Sequence, residues 1–136
     1  MEKTFKTISA PAEAIFKEKC SKFLAFVFPV ENEAEIKEKI IFLKKKYHDA
    51  RHHCYAYILG ADKSIYRMND DGEPSGTAGR PIHGQLLSKE VTNVLLVVVR
   101  YFGGIKLGTG GLRLAYKMAA KEVLEKTTIV VKTASI

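Results

Sequence analysis

Six apolar residues run from Val94 to Val99 without a polar break. A half-exposed strand would alternate, so this run predicts a central strand covered on one or both faces. Two strands are predicted in the N-terminal third. Ala14 to Lys19 alternates weakly. Ser21 to Val30 is clearer, with the β-formers Phe23, Phe26, Val27 and Phe28, and with Pro29 closing the run. Ile36, Ile40, Leu43 and Tyr47 then recur at helical spacing. Asn32 is a suitable N-cap, and Glu35 stands three residues on as in a capping box. Glu33 and Glu35 complement the positive end of the helix dipole, and Lys44, Lys45 and Lys46 the negative end.

A hairpin-like pair follows. His53 to Leu59 is rich in aromatic and β-branched residues, Gly60-Ala61-Asp62 reads as a turn, and Ser64 to Met68 reads as the return strand. Asn69 to Gly79 is a polar loop holding Gly72, Pro74, Gly76 and Gly79, with a short helix expected near Ile82 to Leu87. Arg100 to Thr109 contains Gly103, Gly104 and Gly108 and reads as a second glycine-rich loop. It leads into a helix from about Gly110 to Lys126, with the stripe Leu112, Tyr116, Ala119 and Val123 and with Thr109 as candidate N-cap. Ile129 to Val131 reads as an edge strand.

No repeat, low-complexity segment or linker interrupts this order, so one domain of mixed helix and strand over residues 1–136 is expected. Hydrophobic residues make up 46% and charged residues 27%, which fits a folded globular chain. No apolar run approaches the roughly 18 residues that span a membrane, and Met1-Glu2-Lys3-Thr4 begins no signal core. A cytoplasmic protein without membrane contact is expected. Cys20 and Cys54 are expected as free thiols. Lys and Arg number 22 against 15 Asp and Glu, a net charge of +7. That balance suits RNA or another anionic partner, and it also suits lysines that only keep helix faces solvated.

The second loop is where an anion would be met. Glycines let backbone amides approach closely, the following helix adds its positive end, and Arg100 and Lys106 add full charges. The known phosphate motifs do not fit. Gly103 and Gly108 have Walker spacing, but Thr109 occupies the lysine position. Gly108 and Gly110 begin a dinucleotide fingerprint, but Arg113 occupies the third glycine position. In the first loop, Asp70, Asp71 and Glu73 are close enough in sequence for a divalent ion. The calcium-loop frame fails, because placing Gly72 sixth puts Arg67 first and Ala78 last. Pairing of Asp71 or Glu73 with Arg80 or Arg100 is the expectation instead. His48, His52, His53 and Cys54 cluster without zinc spacing, and His52 and His53 point to opposite faces of a strand. Cys54 in an apolar strand predicts an inert thiol. No catalytic residue, metal or cofactor is assigned.

The stretches Asp70-Asp71-Gly72-Glu73-Pro74-Ser75-Gly76-Thr77-Ala78-Gly79-Arg80-Pro81-Ile82 and Val98 to Leu112 resemble the two signatures of the Impact/YigZ family. Ser21-Lys22-Phe23-Leu24-Ala25 and His53-Cys54-Tyr55-Ala56-Tyr57 are also similar, and the likeness covers about residues 14–126. It implies an α+β fold, a two-layer α/β sandwich like the second domain of a small-subunit ribosomal protein and domain IV of elongation factor G. It implies a link to translation, since eukaryotic members regulate translational control by opposing a stress kinase, and it implies no enzymatic activity. Bacterial members usually carry a C-terminal ferredoxin-like domain, and eukaryotic members a different, N-terminal domain that contacts the kinase activator. A single-domain form is expected here, and the kinase role is not carried over. Relatives read Leu-Val-Arg-Ala-Tyr where this chain reads Leu112-Arg113-Leu114-Ala115-Tyr116, which moves Arg113 about 100° around its helix. Ile58 stands where an arginine is common.

The resulting expectation is a non-enzymatic module binding RNA or the ribosome. Its contacts would be Arg80, Arg100, Gly103, Gly104, Lys106, Gly108, Thr109, Gly110 and Arg113, beside the loop carboxylates Asp70, Asp71 and Glu73. A phosphorylated small ligand or uncharacterised enzyme using the same loops, and a protein-interaction module, are the alternatives.

Overall fold

The structure is a computed structural model that describes residues 2–135. In chain order the elements are β1 (Glu2–Ile8), β2 (Ala12–Glu18), β3 (Ser21–Pro29), α1 (Glu33–Lys46), β4 (His52–Leu59), β5 (Ile65–Asn69), α2 (Gly79–Ser88), β6 (Val94–Tyr101), α3 (Gly108–Glu125) and β7 (Ile129–Ser135). Five strands form an antiparallel sheet in the order β2-β3-β6-β4-β5. The uninterrupted apolar run is its middle strand, and Val94 to Val99 are fully buried.

Alternation along the strands separates two cores. Val94, Leu96 and Val98 of β6 join Phe23, Ala25 and Val27 of β3 under Ile82 and Leu86 of α2 and the Leu112, Tyr116, Ala119 and Val123 stripe of α3. Leu95, Val97 and Val99 face the other way, toward Ile36 and Leu43 of α1. The α+β class is as expected, and α1 adds a third, partial layer on the face opposite α2 and α3. Ile58 is buried in the first of these cores.

Local chemistry sets the boundaries. Asn32 caps α1 by accepting from the Glu35 amide at 2.9 Å, and the Glu35 carboxylate accepts from the Glu31 amide at 3.1 Å. The β2–β3 hairpin turns on Lys19 and Cys20, both left-handed with φ of 44° and 67°, the geometry of a tight two-residue turn.

Several elements depart from the sequence expectation. β1 was not foreseen. It pairs antiparallel with β7, which runs to Ser135 instead of stopping at Val131, and Thr92 donates to the Lys6 carbonyl at 2.9 Å. β6 extends through Arg100 and Tyr101, so the loop is shorter. α3 starts at Gly108, with Leu107 as its N-cap and no side-chain cap; Thr109 lies inside the helix and is not the cap. Among the described residues no helix is long and apolar enough to cross a membrane.

Candidate nucleic-acid interface

The two glycine-rich loops meet through one ion pair. Arg100, near the end of β6, donates from Nη1 to Glu73 Oε1 at 3.0 Å and Oε2 at 2.9 Å, and from Nη2 to Ser21 Oγ at 3.4 Å. Both residues are buried, at 5% and 8% exposure. Tyr116 of α3 donates to Glu73 Oε2. The Cys54 thiol lies 3.1 Å from the Asp70 carbonyl and 3.4 Å from the Tyr116 hydroxyl. Burial pushes both the Tyr116 phenol and the Cys54 thiol far above their ordinary values, and the Glu73 charge adds to both shifts. Cys54 is therefore protonated and inert, as its apolar strand suggested. Arg100 Nε has no hydrogen-bond partner among the described residues; its guanidinium sits against the Phe23 and Phe102 rings, 5.5 and 5.6 Å from their centroids.

The acidic loop is held by its own carboxylates. Asp70 accepts from the amides of Gly76, Ala78 and Gly79 at 2.8–3.1 Å. Asp71 accepts from the His53 amide at 2.6 Å. His52 Nδ1 donates to the Asp71 carbonyl at 2.8 Å and its Nε2 lies 3.5 Å from Glu73 Oε1. His53 Nε2 faces the Tyr47 carbonyl at 2.8 Å instead, so the two histidines do point to opposite faces of the sheet. The three carboxylates are thus turned toward protein amides and Arg100. Among the described residues no group of three or more His, Cys, Asp or Glu is placed to hold a metal ion.

The loop from Phe102 to Leu107 is pinned at its start. The Gly103 amide donates to Ser21 Oγ at 3.2 Å, and a Cβ at this position would collide with the Cys20 carbonyl. That close approach is why glycine stands here. It also means that the Gly103 amide is engaged by the protein, as is the Arg100 guanidinium. Both were expected to face an anion, and both instead frame the site. Gly104 is exposed at the loop surface with φ of 88°.

Beyond the pinned loop, two hollows flank the first turn of α3. One is a recess of about 440 Å³, with Arg51, Phe102, Lys106, Gly108 and Thr109 above a floor of Glu73 and Arg100. The other is a groove of about 480 Å³ between α2 and α3, lined by Arg80, Gly84, Gly110, Arg113 and Lys117. The first amides of a helix have no intrahelical acceptor, and no side chain caps those of α3. Arg51, Arg80, Lys106, Arg113 and Lys117 are exposed and form no ion pair among the described residues. The structure therefore brings Lys106, Gly108 and Thr109 together in the recess, and Arg80, Gly110 and Arg113 together in the groove.

Sequence reasoning missed Arg51 and Lys117. Lys117 was readable, because it stands four residues after Arg113 on one helix and so shares its face. Arg51 has no local signal. It matters because its guanidinium lies 5.2 Å from the Phe102 ring centroid, across the fold.

Residues 19–124 match the family model described as the Impact N-terminal domain. The IMPACT family member YvyE of Bacillus subtilis is 44% identical over 110 residues, covering 81% of this chain and 51% of the relative. The IMPACT family member YigZ of Escherichia coli is 39% identical over 127 residues, covering 92% of this chain and 62% of the relative. The chain thus spans little more than half the length of these curated relatives. A crystal structure of a hypothetical protein superposes with a TM-score of 0.92 at 37% identity, covering 96% of this chain and 65% of that one.

Proposed function

The chain belongs to the Impact N-terminal domain family, and from that premise we propose that it is a non-enzymatic RNA- or ribosome-binding module linked to the regulation of translation. The translation link comes with the family resemblance. The observation that carries the binding reading is the pair of hollows around the first turn of α3. Five exposed cations without ion pairs among the described residues line the hollows beside that helix end, while the Asp70 and Glu73 carboxylates are turned into the protein. Fixed amides and free cations at one place are the elements of phosphate recognition.

In this reading Lys106 and the Gly108–Thr109 turn hold one phosphate, Gly110 with Arg113 and Arg80 hold another, and Lys117 extends the track. Arg100 contributes as the buried floor and makes no direct phosphate contact.

The test is co-sedimentation with ribosomes and with free RNA across a salt series. Each phosphate neutralised on a single strand contributes about −0.7 to the log–log slope. The Lys106→Ala, Arg113→Ala double variant should therefore flatten the slope by about 1.4. Absence of binding at low salt would set the RNA reading aside and leave a phosphorylated small ligand for the same recess.

A further inference from the structure

We infer that Phe102 and Arg51 form a stacking clamp for one unpaired nucleotide of a single-stranded RNA, at the outer end of the recess. This deepens the RNA reading above and rests on it. Four side chains stack outward from the core. Phe23 is fully buried, Arg100 is 5% exposed, Phe102 is 36% exposed, and Arg51 is exposed at the surface. The Arg100 guanidinium lies 5.5 Å from the Phe23 centroid and 5.6 Å from the Phe102 centroid, and the Arg51 guanidinium lies 5.2 Å from the Phe102 centroid.

The inner rungs are fixed. Arg100 is tied to Glu73 by two hydrogen bonds, and the residue after Phe102 is wedged against the Cys20 carbonyl. Phe102 is therefore a rigid platform that loses little freedom when a ligand covers it. Arg51 is the loose rung, without an ion-pair partner among the described residues. Phenyl rings and guanidinium planes are the surfaces on which unpaired bases stack. Lys106 and the first turn of α3 lie in the same hollow of about 440 Å³, so a base and its own phosphate are met together. A base inside a duplex has no free face to offer, which makes the clamp selective for single strands.

Fluorescence anisotropy with three labelled oligonucleotides tests this: a short single-stranded RNA, the same backbone with abasic sites, and the duplex. The intact single strand should bind about tenfold more tightly than the abasic one. Phe102→Leu and, independently, Arg51→Lys, which keeps the charge but not the planar guanidinium face, should each narrow that gap while leaving the salt slope of the abasic strand as it was. Arg51 is exposed, so its variant keeps the test open where Phe102→Leu disturbs the fold. Equal affinity for intact and abasic strands, or for single strand and duplex, overturns the clamp and leaves the phosphate contacts standing. Failure of all three to bind at low salt overturns the RNA reading and the clamp with it.

Discussion

Arg100 and Lys106 stand in one glycine-rich stretch, six residues apart, and read alike in the sequence as phosphate contacts. The structure gives them opposite circumstances. Arg100 is 5% exposed and bound to Glu73, Ser21 and two aromatic faces. Lys106 is exposed beside the first turn of α3 and has no ion-pair partner among the described residues. The difference teaches that one motif can hold both a framework and a contact surface. Burial, not residue type, decides which cation belongs to which.

The sharpest way to break this comparison is to remove the framework. Glu73→Ala would leave the Arg100 charge buried and unpaired, and should lower stability by about 3–5 kcal/mol. Urea denaturation reads this directly, and a loss comparable to that of a surface substitution would show that Arg100 is not held as described. A second approach is alkaline pH. The folded protein keeps protons on Cys54 and Tyr116 at pH values where the unfolded chain has released them, because both groups are raised above their ordinary values of 9.0 and 10.0. Their contribution is fully present below the ordinary values and is lost as pH climbs. Stability should therefore fall above about pH 9, by about 1.4 kcal/mol per pH unit for each group once it titrates in the unfolded state. Urea midpoints at successive pH values check this, and Cys54→Ala should reduce the slope. The smallest effect sharpens the other side: Lys106→Ala with Arg113→Ala should change stability by no more than about 0.5 kcal/mol per site. A large loss in the same denaturation experiment would make these residues framework too.

Legibility in the sequence followed the range of the interactions. β6 was readable because a strand covered on both faces needs no alternation, and α1 because Asn32 and Glu35 are local signals. The α3 stripe was readable from spacing alone, and the failed calcium frame left a pairing of Asp71 or Glu73 with Arg80 or Arg100, of which the fold realises Glu73 with Arg100. β1 was not readable. Only Thr7 and Ile8 at its end are buried, and its partner lies at the other end of the chain. Thr109 suits a cap by residue type, but α3 begins at Gly108 and Thr109 lies inside it. Within the site, Lys106, Arg113 and Arg80 could be found from the glycine loops they adjoin. The engaged state of Gly103 depends on the β2–β3 turn packed against it, and the importance of Arg51 depends on Phe102. Both are contacts between distant parts of the chain, and no local pattern encodes them.

The pairing of β1 with β7 also gives the molecule a polarity. Glu2 is opposite Ser135, and the pair of strands is fastened to residues 91–93, just before β6 begins. The recess opens where β6 ends. Eight strand residues separate the two, roughly 26 Å. A label, surface tether or fused protein attached beyond Glu2 or Ser135 would therefore lie toward one pole of the molecule, with the recess at the other pole unobstructed.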